Sequence, residues 1–135
     1  MSTITVQLNK AEVTDGQGIG EGDLELRIQV TEGTHTIVWP SASNSVKVDN
    51  GGAPTLISQP VASYTVSSGT LSKTFDIAVT EVDGGVYGKD DYGVGKITIA
   101  MTPSMGDTYK SAIISLKRPT MNYDGKVKVT LKAFS

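Results

Sequence analysis

Leu24, Leu26, Ile28 and Val30 are separated by Glu25, Arg27 and Gln29, and this alternation of apolar and polar side chains recurs along the whole chain. A two-residue period puts every apolar side chain of a strand on one face, whereas an amphipathic helix needs a 3.6-residue period. No segment sustains the helical period. Ile4, Val6 and Leu8 alternate with Thr5 and Gln7, and Ala11 and Val13 extend that strand past a kink. Leu71, Phe75, Ile77 and Val79 form an inward-facing row, and Ile97 and Ile99 alternate with Lys96 and Thr98 over residues 95–101. Residues 109–116 read as a strand. The last strand sets Val127, Val129, Leu131 and Ala133 against Lys126, Lys128, Thr130 and Lys132.

Shorter strands lie at 35–39, ended by Pro40, and at 46–48. Residues 55–66 contain Pro60, which cannot donate to a ladder, and read as an edge strand plus loop. Glu32-Gly33, Asp49-Asn50-Gly51-Gly52, Ser67-Ser68-Gly69 and Asp124-Gly125 supply turns. The expected fold is all-β, an antiparallel β-sandwich of about eight strands. Each sheet has one wet face. The 135 residues make one domain, 1–135, long enough to bury a core although only 38% of them are apolar. The lysines of the last strand read as solvating its outer face or guarding a sheet edge, in preference to a phospholipid-binding stripe.

Composition narrows the functional classes. The formal charge is −2 and no basic block exists, which argues against nucleic acid as a partner. Cysteine is absent, which excludes disulfides, thiolate nucleophiles and Cys-based metal sites. His35 is the single histidine, so it has neither a second imidazole for a metal nor a marked nucleophile to activate. The chain is expected to be non-enzymatic. No classical signal peptide is visible, which makes a cytoplasmic location the default expectation. No apolar run approaches the ~18 residues of a membrane-spanning helix.

Specific chemistry is confined to residues 81–95, Glu-Val-Asp-Gly-Gly-Val-Tyr-Gly-Lys-Asp-Asp-Tyr-Gly-Val-Gly. Glu81, Asp83, Asp90 and Asp91 crowd one turn between two strands. Close carboxylates repel, a hard cation relieves the repulsion, and calcium accepts six to eight oxygens in flexible geometry. Turn chemistry alone uses the same residue types, because Asp bonds its own backbone and Gly supplies positive φ. Both readings remain open at this point. Glu81 shares the parity of Val79, so it is expected near the end of the sheet, where it reaches solvent.

The chain resembles a C2 domain, the calcium- and phospholipid-binding β-sandwich. Phe75-Asp76-Ile77-Ala78-Val79 stands as the long strand, Glu81 and Asp83 fall at the paired acidic positions, and Asp91 before Tyr92 falls at the third. Glu81 replaces the usual aspartate, and the spacing from Asp83 to Asp91 is longer than the family's. The resemblance implies a C2-like sandwich, bound Ca2+, and further ligands from the first loop, where Asp15 and Asp23 are the candidates.

Residues 14–22 are glycine-rich but lack the Gly-Lys-Ser/Thr of a phosphate loop. Trp39 and His35 share a face and are read as core. Ile19 and Val86 sit at loop tips, and Tyr87 and Tyr92 lie beside the acidic loop, so these four are the candidate partner contacts. The leading expectation is a calcium-responsive module that engages a lipid surface, a glycan or a protein. The alternatives are a structural or assembly subunit that oligomerises through loops and edge strands, and a small lectin-like domain.

Overall fold

The computed structural model describes residues 2–15, 24–49, 53–82, 91–117 and 124–135. Nine strands form: β1 Ser2–Asp15, β2 Leu24–Glu32, β3 His35–Trp39, β4 Val46–Val48, β5 Thr55–Val66, β6 Leu71–Glu81, β7 Asp91–Met101, β8 Thr108–Lys117 and β9 Asp124–Phe134. They pair antiparallel in the order β3-β2-β6-β7-β8-β9-β1-β5, with β4 also on β2. β7 and β8 share one registered pair, Tyr92 with Lys117. That seam divides the order into two four-stranded layers, β3-β2-β6-β7 and β8-β9-β1-β5. The expected antiparallel sandwich is the architecture found.

β3 and β4 lie in tandem along one edge of β2: β3 pairs with Ile28 to Glu32, and β4 with Leu24 to Leu26. Gly33, at φ +60°, is the first central residue of the two-residue turn between β2 and β3, where a primed turn needs positive φ.

The alternation read from the sequence becomes the core. Ile4, Val6 and Leu8 of β1 are buried, and so are Ala11 and Val13, whose parity is reversed. The reversal comes from a bulge between Leu8 and Lys10, present in the pairing with both β5 and β9. One extra residue on a strand shifts the inward set by one position. β5 does the same: its pairing with β1 slips between Val6 and Gln7, beside Pro60. β5 stands at the end of the strand order, where a missing N–H is tolerated, so 55–66 is one continuous edge strand. Phe75, Ile28, Ile77, Ile99, Leu116 and Leu131 are fully buried between the layers, each contributing about 1.5–3 kcal/mol through removal from water.

Three expectations change. β7 begins at Asp91, so residues 91–94 belong to a strand. The last strand is no edge, since β9 lies between β8 and β1. Two of its lysines lie beside carboxylates, Lys128 Nζ 3.7 Å from Glu12 and Lys132 Nζ 3.5 Å from Asp107. His35 is exposed, while Trp39 packs against the core as a partly buried ring.

Candidate functional site

The strand ends that bound the acidic loop sit at one end of the sandwich, and the pairing follows them across both layers. Leu24 pairs with Val48, Leu26 with Glu81, and Glu81 with Asp91. Tyr92 pairs with Lys117, Lys117 with Asp124, and Lys126 with Asp15. The ends bounding segments 16–23, 83–90 and 118–123 are therefore neighbours. Antiparallel register dictates this, because β6, β8 and β1 finish where β7, β9 and β2 begin.

Glu81 and Asp91 are directly opposite on β6 and β7, and both are buried, at 4% and 1% exposure. The sequence places Glu81 in solvent, and the structure does not. It follows the inward parity of Val79, and β2 still covers it, with the Val82 N–H bonded to the Glu25 carbonyl at 2.7 Å. Like charges directly across a strand pair repel, and burial strengthens the repulsion. A cation, a proton or a basic group beside such a pair relieves it.

The other expected ligands and contacts fall differently. Asp83, Asp90, Asp23, Ile19, Val86 and Tyr87 lie outside the described residues. The backbone of Asp15 ends β1 beside Lys126, on the layer opposite Asp91. Among the described residues no three carboxylate or imidazole groups gather as a metal site. The carboxylates of Glu81 and Asp91 are of the donor chemistry that suits a hard cation.

Tyr92 is described and 53% exposed. As Asp91 faces inward, the next residue faces out, on the wet side of the β2-β6-β7 sheet. Cross-strand register there aligns Gln29 with Ala78 and Ala78 with Val94, then Thr31 with Asp76 and Asp76 with Lys96. The small Ala78 leaves a depression between its larger neighbours, with a volume of about 360 Å³, lined by Gln29, Thr31, Asp76, Tyr92, Val94 and Lys96. Lys96 Nζ lies 3.6 Å from the Asp76 carboxylate. Sequence reading misses this site, because alternation marks Gln29, Asp76 and Lys96 as outward without saying which strands adjoin.

The opposite flank of the sandwich is closed by side chains. Tyr64 of β5 donates to Glu32 of β2, and the His35 Nε2–H of β3 donates to the Val61 carbonyl at 2.6 Å. Burial, then the bond to Glu32 and its charge, push the Tyr64 hydroxyl well above the ordinary phenol range.

The fold and this end define an all-β antiparallel sandwich with a buried carboxylate pair at the end where the strand ends bounding segments 16–23, 83–90 and 118–123 are neighbours. No family model and no curated protein matches the chain. Among solved structures it is similar to a C2 domain, the one designated A, of plant extended synaptotagmin 1, with 14% identity over 96% of this chain and 92% of that one and a TM-score of 0.41.

Proposed function

We propose that the domain is a calcium-responsive binding module. The observation that carries this reading is the register opposition of Glu81 and Asp91, both buried, at the end of the sandwich where the loop-bearing strand ends meet. A divalent cation there would offset the repulsion between the two facing carboxylates. Glu81 and Asp91 would hold it from the strand ends, with Asp83, Asp90 and Asp15 as the remaining candidate ligands by their place in the chain. The role of the ion is to join strand ends of the two layers and present the adjoining surface, which includes Tyr92, to a partner. No group in this reading performs covalent chemistry.

The test is thermal unfolding in millimolar calcium against the same buffer with chelator. A ligand at 100 times its dissociation constant stabilises the fold by ~2.7 kcal/mol. For a domain of this size the midpoint rises by roughly 5–15 °C. Absence of any rise, at calcium concentrations up to several millimolar, would sink the calcium reading.

A second reading, assembly between copies, is favoured by one observation. Leu56, 80% exposed, stands on the long edge strand β5. Exposed edges template pairing with another chain. A defined oligomer in light scattering that Leu56→Lys converts to monomer is the expected result of that reading, and a monomer at all concentrations contradicts it.

A further inference from the structure

We infer that the depression over Ala78 is a carbohydrate site, in which the Tyr92 ring stacks on a pyranose and Gln29, Asp76 and Lys96 bond its hydroxyls. The inference rests on the binding-module reading and names the class of partner, but it does not need the calcium. A pyranose presents one C–H face and a rim of hydroxyls that both donate and accept. The lining matches that division. Tyr92, half exposed, offers an aromatic face on the β7 side, and Val94 continues the apolar wall. Gln29 brings an amide that donates and accepts, Asp76 a carboxylate that accepts, and Lys96 an ammonium that donates. The volume of about 360 Å³ falls in the range of small-molecule sites.

The charges favour a neutral occupant over an anionic one. One carboxylate and one ammonium lie 3.6 Å apart and offset each other, so the depression has no net attraction for a phosphate headgroup. An extended peptide is a poorer match for a different reason. β6, the floor, is hydrogen-bonded to β2 on one side and β7 on the other, so its backbone offers no edge for strand addition. A sugar needs neither a charged patch nor a free edge.

The experiment is a titration of the ¹⁵N-labelled chain with a panel of methyl pyranosides and their disaccharides, with amide shifts as readout, in chelator and again in calcium. At least one sugar is expected to move the amides of 76–78 and 92–96 saturably. Tyr92→Ala is expected to weaken that binding roughly tenfold or more, while Tyr92→Phe, which keeps the ring, stays within about threefold. The side chain at 92 is exposed, and the dispersion of the spectrum checks that each variant folds. Silence of these amides across the panel overturns the site, and so does binding that Tyr92→Ala leaves unchanged. Shifts of the same amides with phosphatidylserine vesicles in place of sugars also overturn it. Sugar binding in chelator, without any calcium effect on unfolding, leaves this site standing and removes the calcium from the proposed function. A calcium effect without sugar binding does the reverse.

Discussion

Tyr64 of β5 and Glu32 of β2 are joined by a hydrogen bond that crosses between the two layers at the flank opposite the β7–β8 seam. Lys73 of β6 approaches both, 3.9 Å from the Glu32 carboxylate and 5.5 Å from the centre of the Tyr64 ring. Removing the hydroxyl leaves the ring packed and deletes the bond. Tyr64→Phe is expected to lower stability by about 1 kcal/mol, the worth of a hydrogen bond to a charged acceptor reduced for partial exposure. Urea unfolding of Tyr64→Phe, Glu32→Ala and the double variant measures it. A coupling energy of about 0.5–1.5 kcal/mol is expected, and strict additivity would show that the contact contributes nothing.

The same contact sets a pH dependence. The folded Tyr64 hydroxyl titrates above its ordinary value of 10.0, first because of burial and then because of Glu32. The folded state therefore holds the proton when the unfolded chain has lost it. The contribution of Tyr64 is fully present below pH about 10 and is lost as pH rises from there toward the folded value. Urea midpoints of the wild type and Tyr64→Phe, compared between pH 8 and 11, should converge above pH about 10. A gap that stays constant through that window contradicts the assignment.

Glu81 and Asp91 give a test in which calcium reverses the sign of a substitution. With chelator present, Glu81→Gln removes one of two facing buried charges and is expected to cost little or to stabilise, since like charges directly opposite are destabilising. With calcium present, the same substitution removes a ligand and is expected to destabilise relative to wild type by about 1–3 kcal/mol. Thermal midpoints of both proteins in both buffers measure this. If Glu81→Gln shifts the midpoint equally in chelator and in calcium, the pair is structural and not part of a metal site.

Much of this architecture can be read locally. The inward rows of β2, β6 and β9 follow from alternation alone, and the kink after Leu8 is visible as the change of parity between Leu8 and Ala11. What alternation cannot supply is adjacency. The β9 lysines look like edge residues until β1 and β8 are seen on either side. Glu81 looks solvent-bound until its place opposite Asp91 and beside β2 is known. The depression over Ala78 needs β2, from a distant part of the chain, beside the consecutive strands β6 and β7. Gly93 carries the largest misreading. It looks like loop punctuation after an acidic turn, yet it lies within β7, as Gly95 does, and both face β8.

Those two glycines yield the last prediction. A Cβ on Gly93 would stand 2.2 Å from the Ser115 carbonyl oxygen and 2.8 Å from Cγ2 of Ile114. A Cβ on Gly95 would stand 2.4 Å from Cδ1 of Ile114. The two layers thus meet at the seam because β7 has no side chain where β8 crosses it, and Ile114 fills the space. The obstacle at Gly93 is main chain, which moves only with β8, whereas the obstacle at Gly95 is the tip of a flexible side chain. Gly93→Ala is therefore expected to cost about 3 kcal/mol, and Gly95→Ala about 1 kcal/mol. Shortening Ile114 should separate the two. The double variant Gly95→Ala/Ile114→Val is expected within ~0.5 kcal/mol of Ile114→Val alone, while Gly93→Ala keeps most of its cost in the same background. Urea unfolding of the wild type and the five variants decides it, and equal rescue of both glycine variants by Ile114→Val would show that the Ser115 carbonyl is not what keeps position 93 a glycine.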